Sequence, residues 1–86
     1  MGIAKLKLFF TPMCPKCPFI KEYLETKSSI EKEFVDAATK EGLQQAREYG
    51  VGSVPAILFF DETGALISQA HSLEEVKRVL ENKTLV

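Results

Sequence analysis

The only two cysteines of the chain, Cys14 and Cys17, lie in the run Phe10-Thr11-Pro12-Met13-Cys14-Pro15-Lys16-Cys17-Pro18. Two thiols at this spacing have two common uses. At the start of a helix they can close a small disulfide ring and reopen it. Elsewhere they supply half of a zinc site. Zinc takes four ligands, and the sequence adds one histidine, His71, with no second nitrogen or sulfur ligand beside it. A metal site within one chain is under-supplied, although two chains could complete one by sharing their cysteine pairs. A purely structural disulfide has little to offer. Closing so short a loop stabilises a fold by only ~2 kcal/mol on the chain-entropy model, and a reducing compartment would open it.

The redox use comes with a mechanism. The thiolate is the nucleophile, and a free cysteine with a pKa near 8.5 is only ~3% ionised at pH 7. Cys14 is expected at the N-cap of a helix, where unpaired N–H groups and the positive dipole end favour an anion. Lys16, between the two sulfurs, adds a positive charge if it acts on them; otherwise it is an exposed lysine. Bringing a cysteine pKa to about 7 takes ~2 kcal/mol of preferential thiolate stabilisation, within reach of these two effects together. Cys14 precedes the helix and is expected to be exposed, so it attacks a substrate disulfide. Cys17, one turn further in, resolves the mixed disulfide by attacking Cys14. Pro12 and Pro15 stiffen the loop between them.

The elements that must position this pair follow from periodicity. Residues 3–10 alternate, with Ala4, Leu6, Leu8 and Phe10 on one face and Ile3, Lys5, Lys7 and Phe9 on the other, as in a strand. A helix is expected from Pro15 or Lys16 to Lys27, with Cys17, Ile20 and Leu24 at helical spacing. Pro18 sits awkwardly there, because its missing N–H leaves a carbonyl one turn back unpaired. Ser28-Ser29 reads as a turn and residues 30–36 as a second strand. Thr39 caps a second helix over 40–49, with Leu43, Ala46 and Tyr49 apolar and Gly50 as its stop. Residues 56–60 form a near-continuous apolar strand covered on both faces. Asp61 to Gly64 turns the chain into a fourth strand over 65–69. Ser72 opens a last helix over 73–82 with a Ser-Leu-Glu-Glu capping box. The expected class is α/β, in the order β-α-β-α-β-β-α, with one four-stranded mixed sheet and helices on both faces.

Composition narrows the function. At 86 residues the chain reads as one domain, 1–86. A hydrophobic share of 45% and a charged share of 27% are those of an ordinary globular protein. A net charge of −1 gives no footprint for nucleic acid or an anionic membrane surface. No apolar run approaches the ~20 residues of a membrane span. Lys5 and Lys7 interrupt the first apolar run, so no signal peptide is expected. A lone pair of cysteines then points to the cytoplasm.

The pairing of Cys14-Pro15-Lys16-Cys17 at a strand-to-helix turn with Ser53-Val54-Pro55-Ala56-Ile57-Leu58-Phe59-Phe60 resembles the thioredoxin and glutaredoxin superfamily over essentially the whole chain. The resemblance implies the thioredoxin fold. It implies that Pro55 is cis and packs beside the two sulfurs. It also implies that the backbone of Val54 pairs with an extended substrate segment, with Gly52, Ser53 and Met13 bordering that groove. The element order and the opening directly on the site's first strand resemble the small glutaredoxin-like redoxins. The stretch from Ala46 to Gly64 is similar to thioredoxins. Glutaredoxins carry a Gly-Gly pair before the last helix, where glutathione docks. Here residues 68–72 contain no glycine, which argues against glutathione. The thioredoxin tryptophans before the first cysteine are absent. Leu8 stands where that family buries an aspartate that assists the inner cysteine. Proton transfer at Cys17 then falls to water or another group, with Glu22 and Asp36 as candidates if they are not simply surface charges.

The reading is a small dithiol–disulfide oxidoreductase, a cytoplasmic monomer without cofactor or metal, that reduces protein disulfides. Its expected reductant is a thioredoxin-reductase-type enzyme. A glutathione-dependent glutaredoxin and a C-x-x-C metal- or cluster-binding module are the alternatives.

Overall fold

Ala56 to Phe60 is a run of five apolar residues, and every one of them is buried. Such a strand needs cover on both faces, and the rest of the chain supplies it. The computed structural model describes residues 3–27 and 29–82. The elements are β1 (Lys5–Phe10), α1 (Cys17–Glu25), β2 (Glu31–Asp36), α2 (Lys40–Glu48), β3 (Ala56–Phe60), β4 (Leu66–Ala70) and α3 (Leu73–Asn82). They build one four-stranded sheet in the order β2-β1-β3-β4. β1 pairs parallel with β2, which requires the crossover that α1 provides, and antiparallel with β3. β3 and β4 form an antiparallel hairpin with a register shift at Phe59/Phe60.

Alternation along the two central strands divides the core. Leu6 and Leu8 of β1 and Ile57 and Phe59 of β3 pack against Ile20 and Leu24 of α1 and Val76 and Leu80 of α3. On the other face Phe9, Leu58 and Phe60 meet Ala46 of α2 and Val35 of β2. Each fully buried large side chain contributes roughly 1.5–3 kcal/mol of transfer free energy. Ile3 departs from the expected alternation: it joins the Leu6 and Leu8 cluster because it precedes the paired strand.

The termini of the elements show which local signals held. Thr39 caps α2, its hydroxyl oxygen accepting the Gly42 N–H at 3.0 Å. Gly42 also lets the first turn approach β2 closely, since a Cβ there would meet the Asp36 carbonyl. Of the three apolar positions expected on this helix, only Ala46 is buried; Leu43 and Tyr49 remain 44% and 37% exposed. Tyr49 still packs edge-on against Phe9 and Phe60, at 6.2 and 5.8 Å. Gly50 takes φ +73°, the left-handed stop expected after a helix.

In the hairpin turn, the Asp61 carboxylate accepts N–H bonds from Thr63 and Ala65 and the Thr63 hydroxyl proton. The Thr63 hydroxyl, then the backbone N–H of Ala65, hold the Asp61 carboxyl below its usual range. At α3, Ser72 accepts the Glu75 N–H at 3.2 Å, as a capping box requires. The Glu75 carboxylate instead reaches one residue further back, to the His71 N–H at 2.6 Å. Ser29 lies in a turn, and Ser28 is outside the described residues.

A charged ladder joins β1 to the edge strand β2. Lys5 lies 4.0 Å from Glu31 and 3.5 Å from Glu33, and Lys7 lies 3.9 Å from Glu33.

Candidate active site

β1 ends at Phe10, and Thr11 to Lys16 carry the chain over the end of the sheet into α1. The helix starts later than its apolar spacing suggests. Lys16, not Cys14, is the N-cap, and Cys17 and Pro18 occupy the first two helical positions. Pro18 is the physical reason. A helix starting at Pro15 would ask residue 18 to donate an N–H to the Cys14 carbonyl, and proline has none. With the start two residues later, at Cys17, Pro18 falls where an N–H has no intrahelical acceptor. The first regular bond then runs from the Ile20 N–H to the Lys16 carbonyl, at 3.4 Å.

Cys14 therefore sits two residues ahead of the N-cap, in a turn closed by its own N–H donating to the Thr11 carbonyl at 3.1 Å. Cys14 and Cys17 are joined in a disulfide across a Cα–Cα distance of 5.5 Å. The two sulfurs differ in surroundings. Cys17 is 5% exposed, held among the buried side chains of α1, whereas Cys14 is half-buried at the surface. Around Cys14 stands an apolar rim in which Met13 is 87% exposed. No acidic side chain occupies the first turn of α1, so nothing there cancels the positive end of the helix.

Two cavities meet at the disulfide. On the outer side a groove of about 440 Å³ is lined by Thr11, Met13, Cys14, Pro15, Lys16, Val54, Pro55 and His71. Beside it a cavity of about 290 Å³ is lined by Leu8 and Phe10 of β1, Thr11 and Pro12, both cysteines, Pro18 and Lys21. The Val54–Pro55 peptide bond is cis, and both residues face the outer groove. The groove thus brings together Cys14, Met13, Lys16, Val54 and Pro55. Ser53 and Gly52 are exposed but do not line it. His71 does line it, although by sequence it served only as an unsupported zinc ligand. Its placement depends on β4 ending beside the Pro55 segment, which no local pattern around His71 announces. Among the described residues no group of three or more His, Cys, Asp or Glu is arranged to hold a metal ion.

No family model matches the sequence. A thioredoxin from Methanocaldococcus jannaschii, however, is 36% identical over 63 residues, covering 67% of this chain and 72% of that protein.

The chain belongs to the thioredoxin family.

Solved thioredoxins agree in fold. The oxidised thioredoxin O2 of Arabidopsis thaliana superposes with a TM-score of 0.77 at 18% identity, over 94% of this chain and 75% of that one. Thioredoxin 1 of Thermosipho africanus gives 0.76 at 21% identity, over 94% of both chains. The expected thioredoxin fold, with three helices around a mixed four-stranded sheet, is what the chain adopts. With its Cys14–Cys17 disulfide, this family member is a dithiol–disulfide oxidoreductase.

One departure from the family pattern gains a structural meaning. Leu8, at the position of the family's buried aspartate, is fully buried and lines the inner cavity. Among the described residues no polar or charged side chain is buried at all. Glu22, proposed from sequence as a proton carrier for Cys17, is exposed and lies outside the cavity. Asp36 is outside it too, accepting the Ala38 N–H at 2.9 Å.

Proposed function

We propose that the chain reduces protein disulfides with Cys14 as attacking nucleophile and Cys17 as resolving thiol. The observation that carries this reading is the asymmetry of the pair: Cys14 opens onto the Val54–Pro55 groove, and Cys17 is buried behind it. In the reduced protein the Cys14 thiolate attacks one sulfur of the substrate disulfide and expels the other as a thiolate. The Cys17 thiol loses its proton and attacks Cys14 Sγ. The intramolecular disulfide forms, and the substrate leaves with both sulfurs reduced. The groove suits an extended peptide, with Val54 offering its backbone and Met13 and Pro55 offering apolar contact. Lys16 flanks Cys14 in that groove and favours its anionic form.

A thioredoxin-reductase-type enzyme is the proposed electron donor, and the proposed setting is a monomer in the cytoplasm. The thioredoxin-like site and the missing glycine pair before α3 support this choice of donor over glutathione. Insulin reduction in the presence of dithiothreitol tests the core of the proposal. The wild type is expected to accelerate precipitation and Cys14→Ser to give the uncatalysed rate. Cys17→Ser is expected to accumulate as a mixed disulfide through Cys14. Equal rates for the wild type and Cys14→Ser would overturn the assignment.

A further inference from the structure

Leu8, fully buried, lines the cavity beside Cys17, and among the described residues no charged side chain is buried. Cys17 must nevertheless become a thiolate before it can attack Cys14. One titratable side chain other than the cysteines lines the cavity behind it, and that is Lys21.

Lys21 follows Cys17 by four residues on α1, so the two side chains rise from one face of the helix, about 5–6 Å apart at Cβ. Its ammonium is not left to roam. Nζ sits 5.1 Å from the centre of the Phe34 ring on β2, a cation–π placement that holds the charge over the seam between α1 and the sheet edge. The other charges of the surrounding elements are exposed or engaged elsewhere. Glu22 and Glu25 are exposed on α1. On β2, Lys32 donates to the Ile30 carbonyl, Glu33 pairs with Lys5 and Lys7, and Asp36 accepts the Ala38 N–H. On α3, Glu81 accepts the Tyr23 hydroxyl proton. Lys16 and His71 face Cys14 from the outer groove. Cys14 thus lines both cavities, with Lys16 in the outer one, whereas Cys17 lines only the inner one, with Lys21.

We propose that Lys21 is the charge-tuning residue for Cys17, its ammonium stabilising the resolving thiolate across the inner cavity in place of a buried carboxylate. The proton released by the Cys17 thiol leaves through the cavity to solvent, the Cys14–Cys17 bond forms, and the Cys14–substrate bond breaks. This rests on the assignment of Cys17 as the resolving thiol. It differs from carboxylate assistance in sign: a nearby cation favours the thiolate directly and lowers the thiol pKa, whereas a carboxylate accepts a proton.

Reaction of the reduced protein with neutral 4,4′-dithiodipyridine separates the steps. The first thiopyridone is released by attack of Cys14, and the second when Cys17 displaces it from Cys14. Lys21→Met keeps the aliphatic stem and removes the charge. It is expected to slow the second release about three- to tenfold at pH 7, a range discounted for the solvent exposure of the lysine. The gap should shrink with added salt and close at alkaline pH, where Cys17 is ionised in both proteins. The first release should move less, and Lys21→Arg should restore the second. A second-phase pH profile for Lys21→Met that superimposes on the wild type overturns the proposal. A first phase that survives Cys14→Ser, or a second that survives Cys17→Ser, overturns instead the assignment of the two cysteines on which it rests.

Discussion

Replacing Gly42 by alanine sets two effects of opposite sign against each other. Gly42 lies in the first turn of α2, and helix propensity alone predicts that alanine stabilises an interior helical position by about 1 kcal/mol. The surroundings oppose it. A Cβ at residue 42 would stand 2.6 Å from the Asp36 carbonyl carbon, closer still to its oxygen, and 3.0 Å from Thr39 Oγ1. The carbonyl cannot move aside freely, because it accepts the Thr39 N–H at 3.1 Å and the Thr39 hydroxyl at 2.8 Å. Relieving the clash by shifting the helix would pull the Gly42 N–H from the Thr39 oxygen, a cap worth about 1 kcal/mol. The remaining overpacking costs about 1–3 kcal/mol. Together these outweigh the propensity gain and leave a net loss of about 1–3 kcal/mol. For a domain of this size that is a fall in melting temperature of roughly 5–20 °C. Circular dichroism melts of the oxidised protein measure it. Gly52→Ala, where nothing lies within 4 Å, is the control and should change little. An unchanged or higher melting temperature for Gly42→Ala would refute the close-approach argument and leave propensity as the winner.

Asp61→Asn should be less stable than the wild type at pH 7, because the ionised carboxylate is the form that the Thr63 and Ala65 donors stabilise. Its folded pKa lies below the ordinary value of 3.8, so this contribution is complete above that value and is lost as the pH falls through the depressed one. The urea midpoints of the two proteins should therefore converge at acidic pH, and a gap that stays constant contradicts the turn's role. Ile20→Ala empties a fully buried position between α1 and the sheet, and should cost about 2–4 kcal/mol in urea unfolding. A loss under 1 kcal/mol would mean that the helix carrying Cys17 is not anchored through this side chain.

Much of this architecture was legible because its signals are short-range and redundant. Ala56 to Phe60 could be read as a doubly covered strand from five apolar residues in succession. Thr39 and Gly50 marked the ends of α2 through backbone chemistry that no tertiary contact overrides. The cysteines announced themselves by spacing, and Pro55 through the resemblance to the family. What escaped depends on longer-range geometry or on competition between neighbours. Apolar spacing placed the start of α1 at Pro15 or Lys16; the missing N–H of Pro18 rules out Pro15, and the helix begins at Cys17. The capping-box pattern held for Ser72, but Glu75 chose the His71 N–H. Gly42 reads as a weakness in a helix and is a requirement of the contact with Asp36. His71 and Lys21 reach the two cavities only once β4 and β2 are in place, and no pattern around either residue says so.

The charged ladder between β1 and β2 adds little to stability, since exposed pairs of this kind are worth about 0–1 kcal/mol each. Its consequence lies in how the chain finds its pairing. In the observed register Lys5 is opposite Glu31 and Lys7 opposite Glu33. A slip of one residue in either direction sets Lys5 or Lys7 opposite Lys32, and brings Leu6 opposite a glutamate. The same slip turns every side chain of β2 to the wrong face. The parallel pairing of β1 with β2 spans the whole α1 crossover, so the contact that the ladder selects is non-local. The ladder thus disfavours a misaligned edge strand, and a correct register of β1 fixes where the loop bearing Cys14 begins.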